Sequence, residues 1–325
     1  IRHAQRRRKD MSCKIIAFAN QKGGVSKSTT TLNVAYALAH HFEKKVLLID
    51  MDSQGSSSLN LGIDITDENI NTVDTLLMPL VKNKIKYVSW RDIKDCIYTP
   101  TFEDRIRDPE NRMKWISTNS PFGTGEGRYD VMPASIELAV AELWMGIASG
   151  KTQRINPTYL ESIISVIKKF GDYDYILLDC PPSLSGLFLN AIYSAVDGTI
   201  AVSSLDIMSL RGIDNLIDSV NSVSRLRENH RGILGIMFAM FSDRRSVDRD
   251  LNYYAERYLP IPVFDSKIPE SSDAKKANQS LLLYAQLNKK ADEAFKSLAS
   301  EIMFAIDNPD IPIGSARSLP QEDDE

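Results

Sequence analysis

The sequence predicts an α/β protein: a doubly wound, mostly parallel sheet flanked by helices, with a phosphate-binding loop at its first strand. Three observations predict it. Short apolar runs alternate with longer segments of helical period; several of those runs are apolar throughout; and a Gly-Gly loop with two lysines separates the first run from the first helix. A strand covered by helices on both faces loses the polar–apolar alternation of a half-exposed one, and a β–α–β–α order implies parallel pairing.

The expected strands, in order, are 15–19, 46–49, 175–178, 199–202 and 234–238. Each is short and rich in Ile, Val, Leu or Phe, the composition of a buried strand. Between them, 28–41, 159–170, 184–195, 210–225 and 292–306 carry apolar residues at the three- and four-residue spacing of an amphipathic helix. Two stretches break this rhythm. Residues 81–128 are polar and dotted with aromatics, as expected of an insertion between core elements that serves as a lid or a partner surface. From Asn308 the chain is proline-broken and ends Gln-Glu-Asp-Asp-Glu, as expected of an acidic, disordered tail over 308–325.

Composition narrows the function classes. With 325 residues and a hydrophobic fraction of 43%, the chain can bury a large core. The net charge is −4, so nucleic-acid binding has to come from a local basic patch. Cys13, Cys96 and Cys180 are scattered and form no CxxC, which argues for a reducing compartment and against a disulfide framework. No apolar run approaches the roughly 20 residues of a membrane helix. Residues 1–13 form a basic leader with no apolar stretch behind it, unlike a secretory signal, and Met11 is a candidate native start. A single domain is expected over 14–307.

The chemistry concentrates in three motifs. The first is Asn20-Gln-Lys-Gly-Gly-Val-Ser-Lys-Ser-Thr29. A glycine-bearing loop between a strand and a helix turns successive N–H groups inward, and the helix N-terminus adds positive potential for phosphates. Gly23, Gly24, Val25, Ser26, Lys27, Ser28 and Thr29 are therefore the expected nucleotide cradle. Lys27 would neutralise the β- and γ-phosphates, and the Ser28 hydroxyl would ligate Mg²⁺. The second motif is Asp50-Met-Asp52-Ser-Gln-Gly55, two carboxylates at the carboxyl end of a strand, where doubly wound sheets bind ligands. The third is Tyr175-Ile-Leu-Leu-Asp179-Cys-Pro-Pro-Ser183, an apolar strand ending in an Asp suited to support Mg²⁺ through water. Cys180 beside it reads as a small core residue.

The spacing Lys22-Gly-Gly-x-x-Lys27-Ser28-Thr29 departs from a plain P-loop at both ends and resembles the deviant Walker A motif of ParA/MinD-family ATPases. Asp50-x-Asp52 and Asp179-Cys-Pro-Pro resemble that family's switch I and switch II, and the likeness runs from about residue 14 to 304. It implies ATP and Mg²⁺ as cofactors, with Lys22 reaching across a homodimer to the partner's nucleotide, as an arginine finger does. By the same resemblance Asp52 positions the attacking water, Asp50 holds a water of the Mg²⁺ shell, and the stretch from Asp206 through Met208 borders the adenine base.

Within the family the motifs look most like the ParA branch. That branch implies ATP-dependent partition of plasmids or chromosomes in the cytoplasm, on the nucleoid. The partners would be non-specific double-stranded DNA and a ParB-like centromere-binding protein that stimulates hydrolysis, with no membrane partner. The candidate DNA contacts are Arg244, Arg245 and Arg249, Lys275 and Lys276, Lys289 and Lys290, and the leader residues Arg6 to Lys9, since phosphate neutralisation needs such clusters. Related alternatives are an ATPase that positions another cargo, a membrane-bound division-site ATPase and a cluster-bearing reductase. The membrane alternative lacks a terminal amphipathic helix, and the reductase alternative lacks cysteines at cluster spacing.

Overall fold

The computed structural model describes residues 13–100, 104–107, 115–118, 126–149, 155–280 and 283–314. Among them, six strands form one sheet: β1 (Lys14–Ala19), β2 (Lys45–Asp50), β5 (Arg128–Met132), β6 (Tyr175–Asp179), β7 (Thr199–Ser204) and β8 (Ile233–Ala239). Their order is β5-β2-β6-β1-β7-β8, and every pairing is parallel. The remaining two strands, β3 (Asp104–Arg107) and β4 (Trp115–Thr118), pair antiparallel in a small separate sheet within the stretch expected to be an insertion.

Strand periodicity of two explains the layers. Ile15, Ala17, Leu47, Ile49, Ile176 and Leu178 face one core; Ile16, Phe18, Val46, Leu48 and Leu177 face the other. The first core is covered by α3 (Val73–Val81), α5 (Glu137–Ser149), α6 (Tyr159–Phe170), α7 (Gly186–Ser194) and α8 (Ile207–Ser224). The second is covered by α1 (Lys27–Phe42) and the long α12 (Lys289–Asp307). Short helices α2 (Ser56–Asn60), α4 (Trp90–Lys94) and α11 (Tyr284–Leu287), with α9 (Ser246–Tyr258) and α10 (Ser272–Ser280), complete the described chain.

The five expected strands and five expected helices all form, with shifts at the ends that capping explains. Asn288 caps α12 by accepting from Ala291 N at 3.0 Å, so that helix begins earlier than its apolar pattern. Asp206 does the same for α8 through Ser209 N at 2.8 Å. Ser185 accepts from Phe188 N at 3.2 Å, so α7 begins after Leu184, which is left exposed. Besides β3 and β4, the strand of the main sheet missing from the sequence expectation is β5. Its run Arg-Tyr-Asp-Val-Met has a charged centre, yet Asp130 is buried because Thr99 Oγ1 (2.6 Å), Tyr173 OH (2.7 Å) and Arg128 (2.8 Å) all engage its carboxylate. The leader (1–12) and the end of the acidic tail (315–325) lie outside the described residues.

Candidate functional site

The loop from Lys22 to Thr29 wraps a cavity of about 570 Å³ at the carboxyl end of β1, where the strand order reverses. All eight residues line it, together with Asp52, Ser56, Leu59, Asn60 and Pro182. The loop is anchored at its start by buried Asn20, whose amide donates to Val202 O of β7 (2.5 Å) and whose Oδ1 accepts from Lys22 N (2.7 Å). Two residues turn the chain through the left-handed region, Gly24 at φ +78° and Ser26 at φ +63°. Glycine does this freely; serine does it against its own Cβ, at about 1–2 kcal/mol. The position before Lys27 takes a positive φ, and Ser26 fills it under strain.

Beneath the loop lie two buried carboxylates. Asp50 and Asp179 end adjacent strands in register with each other, and both are fully buried. Lys27 Nζ closes on Asp179 Oδ1 at 2.5 Å, and Ser57 Oγ donates to Asp179 Oδ2 at 2.6 Å. Asp50 accepts from Ser58 N (3.0 Å), Ser58 Oγ (2.8 Å) and Asp52 N (3.1 Å). Burial, then the neighbouring Asp179 charge, pushes Asp50 up to about 7. Burial alone would pull the Lys27 ammonium down, but the Asp179 carboxylate outweighs it and the net shift is upward. Asp52 stands apart from this floor: it is 8% exposed, lines the cavity, and accepts from Gln54 N at 3.0 Å. Cys180 is buried with its thiol pushed up to about 12 by desolvation, so it is inert core.

Lys22 lines the cavity, but its ammonium is bound outside the carboxylate floor. Its ammonium binds both oxygens of Asp206, at 3.0 and 3.1 Å, and Ser209 Oγ at 2.9 Å. Burial pushes the Asp206 carboxyl up, but hydrogen bonds from Ser209, Ser204 and Lys22 prevail and hold it well below the usual range. Both partners are over two-fifths exposed, so this latch is weak, at most about 1 kcal/mol. Asp206 and Met208, expected beside the adenine, line neither the phosphate cavity nor its neighbour: Asp206 is committed to Lys22 and the α8 cap, and Met208 is exposed.

That neighbour is a smaller cavity of about 160 Å³ on the other side of the loop. Ser26, Thr29 and Thr30 form one wall; Met240, Pro269, Glu270, Ser271 and Tyr284 form the other. The buried Thr30 Oγ1 has no hydrogen-bond partner among the described residues.

The basic clusters sort themselves by pairing. Arg245 is held by Asp248 (2.8 Å) and Glu270 (3.0 Å), Arg249 by the Asp243 carbonyl, and Lys276 by Asp273 (2.7 Å). Lys289 lies 3.9 Å from Glu293. The Lys275 side chain lies outside the described residues. Arg244 and Lys290 are in no ion pair among the described residues, and they line one cleft of about 360 Å³ with Ser242 and Asn288. Pro269, Glu270, Ser271 and Tyr284 wall both this cleft and the smaller cavity. No group of three or more His, Cys, Asp or Glu side chains able to hold a metal occurs among the described residues.

Sequence reasoning missed Ser57 and Ser58, which orient the two carboxylates, although the Ser-Ser-Ser run after Gly55 was a visible signal. It also missed the Met240–Tyr284 wall, for which no local signal exists.

The AAA domain family matches residues 13–231. The chain is 29% identical to the sporulation initiation inhibitor protein Soj of Bacillus subtilis, across 89% of this chain and 98% of that one. It is 28% identical to the chromosome partitioning protein ParA of Caulobacter vibrioides, across 89% and 94%. Among solved structures it is similar to a Mycobacterium smegmatis cobyrinic acid a,c-diamide synthase with bound ATP analogue and magnesium. That likeness has a TM-score of 0.67 at 22% identity, covering 93% of this chain and 99% of that one. At that identity it shows the fold alone.

Two outcomes follow from the loop and its floor. Ser26→Gly removes the left-handed strain but adds backbone entropy to the unfolded chain, so it should stabilise the nucleotide-free protein by roughly 0.5–1 kcal/mol in denaturant unfolding. An unchanged or lowered midpoint would show Ser26 to be unstrained. For Asp50, the folded carboxyl titrates near 7 and the unfolded one in the ordinary carboxyl range. Between those values the native state binds the extra proton, so this group's stabilisation is present at low pH and lost as pH rises toward 7. The stability of wild type minus Asp50→Asn should therefore decline across that window, by up to about 1.4 kcal/mol per pH unit. Parallel pH profiles for the two proteins would refute the assignment.

Proposed function

We propose, for a chain that belongs to the ParA/MinD-type family of AAA-domain partition ATPases, that it binds and hydrolyses ATP with Mg²⁺ as a nucleotide-sandwiched homodimer and uses that cycle to partition DNA. The observation that carries the reading is the division of labour between the loop's two lysines. Lys27 turns inward onto the buried carboxylate floor, while Lys22 turns outward to a weak latch on Asp206.

The residues fit the ligands. The loop's N–H groups, the start of α1 and Lys27 hold the phosphates, with Lys27 exchanging Asp179 for the γ-phosphate. The Ser28 hydroxyl, and Asp50 and Asp179 through water, would hold Mg²⁺, which when bound would offset charge on the β- and γ-phosphates. The flat side chain of Tyr284 and the neighbouring Met240 and Pro269 suit the smaller cavity to the base. Asp52, lining the phosphate cavity and free of the floor, positions the attacking water. Lys22, released from Asp206, stabilises charge on the partner's transferring phosphoryl group.

DNA is the proposed track, and a ParB-like protein the proposed stimulator, because the relatives at 28–29% identity are Soj and ParA. Arg244 and Lys290 are the favoured contacts, since the other described cations of those clusters are already engaged. The cytoplasm, on the nucleoid, is the proposed place of action. No helix of the described residues is long and apolar enough to cross a membrane.

Sedimentation with a slowly hydrolysed ATP analogue should show a wild-type dimer and a Lys22→Ala monomer that still binds nucleotide. A dimer peak that survives Lys22→Ala would sink the sandwich. Mobility shifts on random duplex DNA should appear with ATP, not with ADP or without nucleotide, and should weaken steeply with salt. Absence of any shift would move the cargo from DNA to protein.

A further inference from the structure

Two consecutive serines of the short helix α2, Ser57 and Ser58, are fully buried. Most side-chain hydrogen bonds in proteins go to backbone or water. These two hydroxyls go instead to the carboxylates that end adjacent strands. Ser58 Oγ donates to Asp50 Oδ2 at 2.8 Å and accepts from Ala134 N at 3.1 Å. Ser57 Oγ donates to Asp179 Oδ2 at 2.6 Å. The remaining residues of the helix, Ser56, Leu59 and Asn60, line the phosphate cavity. One turn of helix therefore touches the floor on one side and the cavity on the other.

The chain before α2 is shaped to deliver that turn. Gly55 N donates to Asp52 O at 2.8 Å, and Gly55 takes φ +59°. A Cβ there would come within 2.4 Å of Ile65 Cδ1 and 3.2 Å of Ala134 O, so glycine is required both for its dihedral and for its size. The turn returns the chain from Asp52, at the cavity, to Ser57, at the floor.

The two oxygens of Asp179 are divided between two donors. Oδ1 takes Lys27 at 2.5 Å and Oδ2 takes Ser57, and no other hydrogen bond to this carboxylate is present among the described residues. On the proposed nucleotide reading, Lys27 leaves Oδ1 for phosphate, and Ser57 is the donor that remains. The last torsion of an aspartate is broad and two-fold, so a carboxylate without that donor could present either oxygen. We infer that Ser57 is a positioning residue for the divalent cation: by holding Oδ2 it keeps Oδ1 as the oxygen offered once Lys27 departs. The inference rests on the ATP and Mg²⁺ reading of the same site and deepens it. Hydrogen-bond partners that orient metal-binding carboxylates typically account for about 10–100-fold in metal affinity.

The test is calorimetric titration of the full chain with a slowly hydrolysed ATP analogue, once with Mg²⁺ and once with EDTA. The proteins compared are wild type, Ser57→Ala, Asp179→Asn and the double variant. The readout is the ratio of the two affinities, which a general loss of structure would not single out. Ser57→Ala should bind the analogue in EDTA much as wild type does, yet lose roughly tenfold of the tightening that Mg²⁺ confers. Its Mg²⁺ midpoint should rise to match. In the Asp179→Asn background, Ser57→Ala should leave the ratio nearly unchanged, because the hydroxyl acts through that carboxylate. Where Ser57→Ala fails to fold, Ser57→Cys substitutes a weak donor of similar size and the same ratio is read from it. An unchanged ratio, equal losses with and without Mg²⁺, or the same cost in the Asp179→Asn background overturns the inference and leaves the nucleotide reading standing. A wild-type chain whose affinity for the analogue ignores Mg²⁺ removes both.

Discussion

Much of the site depends on one ion pair, Lys27 with Asp179. Two strands in register end in carboxylates side by side, away from water, and that arrangement is unfavourable unless charge is supplied or a proton taken up. The nucleotide-free chain does both: Lys27 supplies the charge to Asp179, and Asp50 keeps its proton into the neutral range. Phosphate competes for the same ammonium. On the proposed reading a nucleotide would uncover the floor, and a divalent cation beside it would meet a pair of carboxylates whose counter-charge has left. Loop and floor form one electrostatic unit in which neither changes alone.

What the sequence made legible was local. The lysine-flanked loop, Asp50-x-Asp52 and Asp179-Cys-Pro-Pro each lie within one short window, where strand and helix periods fix which way a side chain faces. The five apolar strands were legible for the same reason. β5 was not, because Asp130 interrupts its apolar run and the distant Thr99 and Tyr173 join Arg128 in making that burial tolerable. The smaller cavity was not, because Thr30 and Tyr284 meet only after the chain has crossed the whole sheet. The expected contribution of Asp206 to the base followed a sequence likeness; in the structure its carboxylate is occupied by Lys22 and by the α8 cap. Charge runs were the least legible feature, since a run of arginines looks the same whether or not acids have already engaged them.

Family and cargo rest on different parts of the molecule. The three motifs and the AAA domain match concern the nucleotide, and these residues sit on the rigid carboxyl edge of the sheet. On the proposed reading, whatever is moved would be recognised elsewhere, on surfaces such as the Arg244–Lys290 cleft that the shared chemistry does not constrain. This is why a fold close to that of a protein bearing a synthase name is compatible with partition relatives.

The wall shared by the smaller cavity and the Arg244–Lys290 cleft has a thermodynamic consequence. Pro269, Glu270, Ser271 and Tyr284 present one side to each space, so the two cannot be reshaped independently. Where occupancy of one space shifts that wall, linkage requires the effect to be reciprocal: the factor by which a base tightens anion binding in the cleft equals the factor by which the anion tightens the base. On the proposed reading, a polyanion in the cleft would then set the lifetime of bound nucleotide, and retention of the cofactor would depend on whether that polyanion is near.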